Sequence, residues 1–253
     1  MRVVITYGGN AMTDRDERLA LASAIRQAAH DGLGPVVVHG GGPFIARELE
    51  AEGIPHRFVR GLRVTTDGAM PVVERALTLL GKQLAQEIGG AVSLTGRDAG
   101  LLQAETFSQE LGLVGEMTGV NSRLLEGLLS LSVIPVIASL ALDSTGRLLN
   151  VNADEVAGAA AAALDAPVVF LTDVPGVFED PADPASLVPR LSRSDARARI
   201  ADGRISGGMI PKVEAALAAL AGGAPAAVIA DGRDRAAFLE VLQSRAGTVF
   251  TGD

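Results

Sequence analysis

Residues 35–43 read PVVVHGGGP and contain the pattern that decides the fold. The apolar run at residues 35–38, which contains three valines, is typical of a buried strand. It leads into three consecutive glycines, residues 40–42, and Pro43 suits the first turn of a helix. The stretch therefore predicts a strand, a glycine turn and a helix in immediate succession, which is the building unit of a parallel α/β sheet.

The same unit recurs along the chain. Residues 3–6 form a short β-branched run that is closed by the glycine pair 8–9, and Asp14 is a candidate helix N-cap with Glu17 three residues later. Further strands are predicted over residues 91–94, 133–138, 168–171 and 226–229. Further helices are predicted over residues 67–88, 121–131, 153–164, 208–220 and 234–243. The fold class is therefore α/β, a three-layer α/β/α sandwich with a central, mainly parallel sheet.

Two segments depart from this alternation. Residues 113–118, flanked and interrupted by glycines, are interpreted as an inserted β-hairpin. Residues 180–194 are rich in Pro, Ser and Asp, which favours a mobile surface loop.

Composition excludes several classes of function. A formal net charge of −8 without a basic cluster argues against a nucleic-acid-binding protein. Cysteine is absent, so disulfides, thiol nucleophiles and cysteine-ligated metals are excluded. No His, Asp and Glu cluster has metal-ligand spacing, so no protein-held metal site is predicted. The longest apolar run, residues 156–164, is about half a membrane span, and we expect a cytoplasmic protein.

Three glycine-containing turns follow predicted strands, at residues 8–9, 40–42 and 173–177. In a parallel sheet, the turns that leave the carboxyl ends of strands line the ligand crevice. Each turn alone is equally compatible with tight packing. Together they favour binding of phosphate or carboxylate, because glycine lets backbone N–H groups approach anionic oxygens. The chain has no G-x-x-x-x-G-K-[ST] segment and is not a P-loop enzyme.

The segment NVNAD carries three polar candidates, Asn150, Asn152 and Asp154. One interpretation is a strand exit followed by a helix N-cap. The other is a row of amide donors that face a substrate, because alternate residues of a strand point the same way. In that case the Asp154 carboxylate would organise nearby cations.

Among the cations, lysine usage is informative. Of 22 Lys and Arg residues, only Lys82 and Lys212 are lysines. Lys212 lies at the start of a predicted helix. It is either a solvated surface residue or a compact ammonium group that binds a phosphate. Lys82 is interpreted as solvated. Arg63 is either a surface-loop residue or a bidentate carboxylate clamp. His39 follows a buried run and is interpreted as a core histidine rather than a base.

Seven segments occur in the order and spacing of the acetylglutamate kinases, a branch of the amino acid kinase family that the chain resembles from about residue 3 to its end. These are YGGNAM, VHGGGP, GLRVT, LGLVGEMTGVN, NVNADE, FLTDVPGV and GGMIPKV. The resemblance implies phosphorylation of the γ-carboxylate of N-acetyl-L-glutamate by ATP, giving an acyl phosphate in arginine biosynthesis. It also implies that Mg²⁺ accompanies ATP and is held mainly through the phosphates.

The resemblance implies two lobes and a role for each candidate residue. Residues 1–150 would bind acetylglutamate and mediate dimerisation, and residues 151–253 would bind ATP. Substrate-binding residues would be Gly41, Gly42, Arg63 and Asn150, with Asn152 in the same row. ATP-binding residues would be Asp173, Val174, Pro175, Gly176, Val177, Phe178, Arg204, Ile205 and Ser206. The catalytic group would be Lys212, Asp154, Gly9 and the residue at position 6.

Position 6 departs from the family pattern. The family has lysine before the first glycine pair, and this chain has Thr6, which supplies a hydroxyl but no charge. A binding or regulatory homologue that has lost turnover is therefore one alternative. The other is a carrier-linked aminoadipate or glutamate kinase, against which the net charge and the GLRVT segment argue. Because the first strand begins so early, we also expect a homodimer with weak or no inhibition by arginine.

Overall fold

A computed structural model of the chain describes residues 1–8, 12–180, 182–232, 241 and 246–252. The helices within these ranges are α1 Arg15–His30, α2 Gly42–Ala51, α3 Met70–Ile88, α4 Ser122–Ser130, α5 Ala153–Ala163, α6 Arg193–Ala201 and α7 Met209–Ala221. The strands are β1 Arg2–Tyr7, β2 Gly34–His39, β3 Phe58–Val59, β4 Leu62–Arg63, β5 Ala91–Leu94, β6 Leu102–Thr106, β7 Val114–Val120, β8 Ile134–Ala138, β9 Leu140–Leu142, β10 Leu148–Val151, β11 Val168–Thr172, β12 Arg190–Ser192, β13 Ala227–Asp231 and β14 Thr248–Thr251.

Eight strands form the central sheet in the order β12-β14-β13-β11-β1-β2-β8-β5. All neighbours are parallel except β13 and β14. The predicted α/β class with a mainly parallel sheet is confirmed. Residues before position 150 supply β1, β2, β5 and β8, and later residues supply the other half of the sheet.

Strand β1 lies at the centre, where Thr6 pairs with Val38 of β2 on one side and Phe170 of β11 on the other. Because the three strands are parallel, their carboxyl ends and the glycine turns that follow them come together at one edge of the sheet.

Helices cover both faces of this sheet, which explains why its strands are continuously apolar. Val4 packs in a core cluster that includes Val156 of α5. Its neighbour Ile5 packs in a second cluster with Ile25 of α1 and Leu84 of α3. Successive β1 residues thus point to opposite faces, and Thr6 lies on the α5 side.

Helix α1 begins as the sequence predicts. The Asp14 carboxylate accepts hydrogen bonds from the backbone N–H groups of Asp16 and Glu17 at 2.8 and 2.9 Å. These bonds satisfy two of the free donors at the helix start. The predicted helix at 67–88 starts three residues later, at Met70.

The predicted hairpin at residues 113–118 is wrong in its bounds, because this segment is a single strand that pairs antiparallel with the preceding strand β6. Strand β7 runs through this segment without turning and joins β6, β9 and β10 in a closed four-stranded barrel. A Cβ atom added at Gly115 would lie 2.9 Å from the Cβ atom of Leu149 and 3.1 Å from that of Ala104. This glycine therefore permits close packing of neighbouring strands rather than a turn.

A separate two-stranded ribbon consists of β3 and β4. Its connecting residues, Arg60 and Gly61, have φ values of 50° and 80°. Two consecutive positive φ values are the signature of the tight turn that suits a two-residue hairpin. The ribbon places Phe58 directly opposite Arg63.

The predicted surface loop at 180–194 is partly wrong, because β12 lies within it and pairs with β14 at the sheet edge. Leu191 is the buried residue of this short strand. Gly9 lies outside the described residues, as does the helix predicted over 234–243 apart from residue 241. Within the described parts of the chain, no helix is long and apolar enough to cross a membrane.

Candidate active site

A cleft of about 990 Å³ opens at the carboxyl ends of β1, β2 and β11. The glycine turns after these strands line it, and β4, β10 and the start of α7 complete its walls. Among the described candidates, Pro175 does not line the cleft. Those that do are Thr6, Gly41, Gly42, Arg63, Asn150, Asn152, Asp154, Asp173, Val174, Gly176, Val177, Phe178, Arg204, Ile205, Ser206 and Lys212.

Arg63 forms one end of the cleft and is only 7% exposed. Its Nη2 donates to the Gly42 carbonyl at 2.9 Å, and its guanidinium carbon lies 4.6 Å from the centre of the Phe58 ring. Within the described part of the chain, Nη1 is buried without a hydrogen-bond partner. Burial lowers the pKa of Arg63, and Glu50 opposes this shift. A buried cation with an unused N–H group is suited to an anionic ligand.

The two asparagines of the NVNAD segment make different contacts, and those of Asn152 confirm the N-cap interpretation. Asn152 is the N-cap of α5, and its side-chain oxygen accepts from the Asp154 backbone N–H at 2.9 Å. Asn150 donates from Nδ2 to the Thr65 hydroxyl at 3.2 Å. Thr65 in turn donates to the Arg63 carbonyl at 3.0 Å. Asn150 is therefore connected to the segment that carries Arg63.

The centre of the cleft contains Thr6, Asp154 and Lys212. Thr6 is 3% exposed and projects from β1 toward the first turn of α5. Burial raises the pKa of the Asp154 carboxyl, while the Lys212 ammonium and the Thr6 hydroxyl oppose the shift. Lys212 thus faces the cleft, whereas Lys82 is exposed on α3 outside it.

The opposite end contains the turn after β11. The Thr172 hydroxyl donates to the Asp173 carboxylate at 3.0 Å. The Val177 backbone N–H donates to the hydroxyl of Thr248, which is fully buried and donates to the Val188 carbonyl at 2.7 Å. Thr248 anchors this turn from β14. The sequence offered no signal for it, because its partner is 71 residues away.

Arg204 also lines this end of the cleft and is already ion-paired. Its nitrogens lie 2.7 Å from the Asp202 carboxylate and 3.5 Å from that of Glu179. The same carboxylate of Glu179 pairs with Arg199. The described residues include no group of three His, Asp or Glu side chains that could hold a metal ion.

Comparison with known proteins identifies the family. The sequence model that defines the amino acid kinase family matches residues 1–231 of this chain. The chain belongs to the amino acid kinase family. It is therefore a kinase and uses ATP.

The relatives of this amino acid kinase include acetylglutamate kinases. The one from Deinococcus radiodurans is 50% identical over 246 residues, which cover 97% of this chain and 98% of that protein. The one from Thermus thermophilus is 49% identical, with 86% of this chain and 88% of that protein covered. The crystal structure of smu.665 from Streptococcus mutans is 31% identical and superposes with a TM-score of 0.82, covering 100% of this chain and 99% of that one.

Proposed function

We propose that this amino acid kinase transfers the γ-phosphoryl group of ATP to the γ-carboxylate of N-acetyl-L-glutamate, giving an acyl phosphate in arginine biosynthesis. Acetylglutamate kinases that are 42–50% identical over most of the chain support this proposal. The observation that carries it is the buried Arg63 beside the glycine turn after β2, whose Nη1 has no hydrogen-bond partner in the part of the chain that the structure describes.

The substrate is held at the Arg63 end of the cleft. Arg63 binds a carboxylate of acetylglutamate, and the backbone N–H groups of Gly41 and Gly42 bind further oxygens. Asn150 and Asn152 line the same wall and supply amide groups for the polar atoms of the substrate. An acidic substrate suits this end because, among the described residues, the Nη1 of the buried Arg63 has no hydrogen-bond partner.

Transfer takes place between the two ends of the cleft. An oxygen of the γ-carboxylate attacks the γ-phosphorus atom, and the bond from that phosphorus to the oxygen of the ADP leaving group breaks. No general base is required, because a carboxylate is ionised at pH 7. The principal task of the protein is to position the two anions and neutralise their charge. Lys212 neutralises the moving phosphoryl group, Asp154 orients Lys212, and Gly9 and the Thr6 hydroxyl complete the catalytic group.

ATP occupies the end lined by the turn after β11. Its binding residues are Asp173, Val174, Pro175, Gly176, Val177, Phe178, Arg204, Ile205 and Ser206. The phosphates compete with Asp202 and Glu179 for Arg204. Mg²⁺ would accompany ATP and be held mainly through the phosphate oxygens, as the resemblance to acetylglutamate kinases implies. When bound, it neutralises phosphate charge.

A hydroxamate trapping assay tests the proposal, because hydroxylamine converts an acyl phosphate into a coloured hydroxamate. We expect product with ATP and N-acetylglutamate, and much less with N-acetylaspartate, which is shorter by one methylene group. Absence of product with free N-acetylglutamate contradicts the proposed activity. Binding of both substrates without product would identify the turnover-deficient homologue that Thr6 suggests.

We further propose a cytoplasmic homodimer whose interface lies in residues 1–150, with little inhibition by arginine. Leu79 of α3 supports this location, since it is a large apolar residue that is 62% exposed. Light scattering and an assay with millimolar arginine test this proposal. A hexamer, or strong inhibition, would contradict it.

A further inference from the structure

We infer that His39 is a positioning residue for the carboxylic substrate. Its imidazole holds the carbonyl of Gly40, so that the N–H group of Gly41 is directed into the cleft to bind a substrate oxygen. The identity of the substrate rests on the proposed function. The arrangement of His39 and its turn rests on hydrogen bonds and packing within the chain.

His39 is the last residue of β2, is fully buried and does not line the cleft. Its Nδ1 lies 2.9 Å from the Gly40 carbonyl oxygen. Because a carbonyl can only accept, Nδ1 carries the proton and Nε2 is a bare acceptor. Burial lowers the pKa of His39 to about 4, so the ring is neutral at physiological pH.

The other ring nitrogen, Nε2, has no hydrogen-bond partner among the described residues, although it is buried. A buried acceptor without a partner destabilises a fold, and an apolar side chain of similar size would avoid that penalty. Packing alone therefore does not explain why this position is a histidine. The hydrogen bond from its Nδ1 to the Gly40 carbonyl does explain it.

Helix α3 is also adapted to this ring. A Cβ atom at Gly81 would lie 2.8 Å from Nε2 of His39 and 2.6 Å from the Ser93 hydroxyl oxygen. Glycine in the interior of a helix is less favourable than alanine. Gly81 therefore lowers the stability of α3 at the position where the imidazole needs space.

The bond to Gly40 determines the direction of the next amide. In the trans peptide that joins Gly40 and Gly41, the carbonyl and the N–H group point to opposite sides. His39 shares a face of β2 with Val37, which packs with α1 and α3. The Gly40 carbonyl is therefore turned toward that face. The Gly41 N–H is turned away from it, toward the α5 side where Thr6 faces the cleft.

Three further observations indicate that this turn is rigid and that its amide is available. Within the described part of the chain, no hydrogen bond engages the Gly41 N–H. A Cβ atom at Gly41 would lie 2.7 Å from a methyl carbon of Leu77, so the turn is pressed against α3. The next carbonyl, that of Gly42, is held by Arg63. A donor fixed in direction before binding loses little entropy when the substrate arrives.

The kinetic test compares His39→Asn, His39→Gln and His39→Leu. The Asn Nδ2 atom occupies the position of the imidazole Nδ1, Gln places its donor near the position of Nε2, and Leu has no donor. We expect KM for N-acetylglutamate to rise about tenfold in the Gln and Leu variants, and less than about threefold in the Asn variant. KM for ATP should be unchanged in all three.

If His39 only fills space, the three variants should show the opposite order of KM values for N-acetylglutamate. Asn leaves the largest cavity, so a purely structural role would make it the worst variant, with KM changes that follow Tm. The inference is overturned if the Asn variant has the same KM for N-acetylglutamate as the Leu variant, or if KM for ATP rises as much as KM for the acidic substrate.

Gly81→Ala is an independent variant, because it displaces the imidazole of His39 without altering it. It should raise the same KM while leaving kcat within about twofold, and an unchanged KM also contradicts the inference.

Nitrogen-15 NMR separates this inference from the proposed function. The chain has three histidines, and His30 and His56 are not buried. We expect one histidine that does not titrate between pH 5 and 8, shows the Nδ1–H tautomer and disappears in His39→Asn. An Nε2–H tautomer overturns the inference even if the protein is an active acetylglutamate kinase. Lack of activity with N-acetylglutamate refutes the proposed function without affecting the tautomer result.

Discussion

Replacing Thr6 with lysine should raise kcat. Thr6 lies on β1 at the centre of the sheet, and its side chain lines the cleft between the two proposed substrates. Although it is only 3% exposed, a lysine can run its methylene groups along the apolar strand surface and place its ammonium group in the cleft. Asp154 lies beside this path, since its carboxylate already interacts with the Thr6 hydroxyl.

The size of the effect follows from electrostatics. A preorganised donor at a site of developing negative charge is worth about 2.7–4 kcal/mol, or roughly 100- to 1,000-fold in kcat. Placing an ammonium group in a partly buried position offsets part of this gain. We therefore expect an increase of roughly tenfold to a thousandfold. Because the new charge matters most while the phosphoryl group moves, kcat should change more than KM.

Steady-state kinetics with ATP and N-acetylglutamate measure the effect, with Tm as a control for folding. Thr6→Met is the matched control, because methionine has a long side chain without charge and should give no increase. Burial raises the pKa of Asp154, and a second ammonium group beside it should lower that pKa. If Asp154 must be ionised for activity, the acid limb of the kcat profile therefore moves to lower pH in Thr6→Lys. An unchanged or lower kcat in a well-folded Thr6→Lys protein refutes this reasoning.

Three further predictions concern the ends and the centre of the cleft. Arg63→Ala should raise KM for N-acetylglutamate roughly 30- to 150-fold, about 2–3 kcal/mol for a desolvated clamp, with KM for ATP unchanged; equal changes in both would make Arg63 structural. Phe58→Ala removes the ring beside Arg63 and should raise the same KM about two- to fivefold, whereas Phe107→Ala, which also alters a partly exposed ring but outside the cleft, should not. Asp154→Asn should lower kcat at least about 100-fold without lowering Tm at pH 7. In the wild-type protein, the pKa of the Asp154 carboxyl is higher in the folded state than in the unfolded state. The ionised carboxylate therefore lowers the stability of the fold as pH rises from the pKa of the unfolded state through that of the folded state. A large fall in the Tm of Asp154→Asn at pH 7 would contradict this.

Much of the central sheet was predictable because its signals are local. The apolar runs of β1 and β2 and the N-cap Asp14 depend on residues within a few positions of one another. The small barrel was not predictable in this way. Gly115 carries the same local signal whether it forms a turn or allows two strands to approach closely, and only contact with Leu149 distinguishes the two.

The candidate site likewise has features that the sequence predicted and one that required the structure. The glycine turns and the NVNAD segment were identifiable because strand-to-helix turns in a parallel sheet lie at its ligand-binding edge. The sequence could not determine whether Arg63 is a surface residue or a clamp. The structure shows that Arg63 is not a surface residue, because the β3–β4 ribbon buries its guanidinium against Phe58 and beside Gly42; the clamp stays a prediction.

By itself, then, the sequence determined the alternation of strands and helices, the glycine turns and the residue types available for binding anions. These features follow from backbone preferences and from the periodic placement of apolar residues. Only the tertiary structure decided that Lys212 faces Asp154 and Thr6, that Thr248 anchors the turn after β11, and that His39 holds Gly40 from behind the cleft. The physical reason is that the first two arrangements join segments far apart in the chain. Even the contact between neighbours His39 and Gly40 depends on burial and on the space that Gly81 leaves in α3.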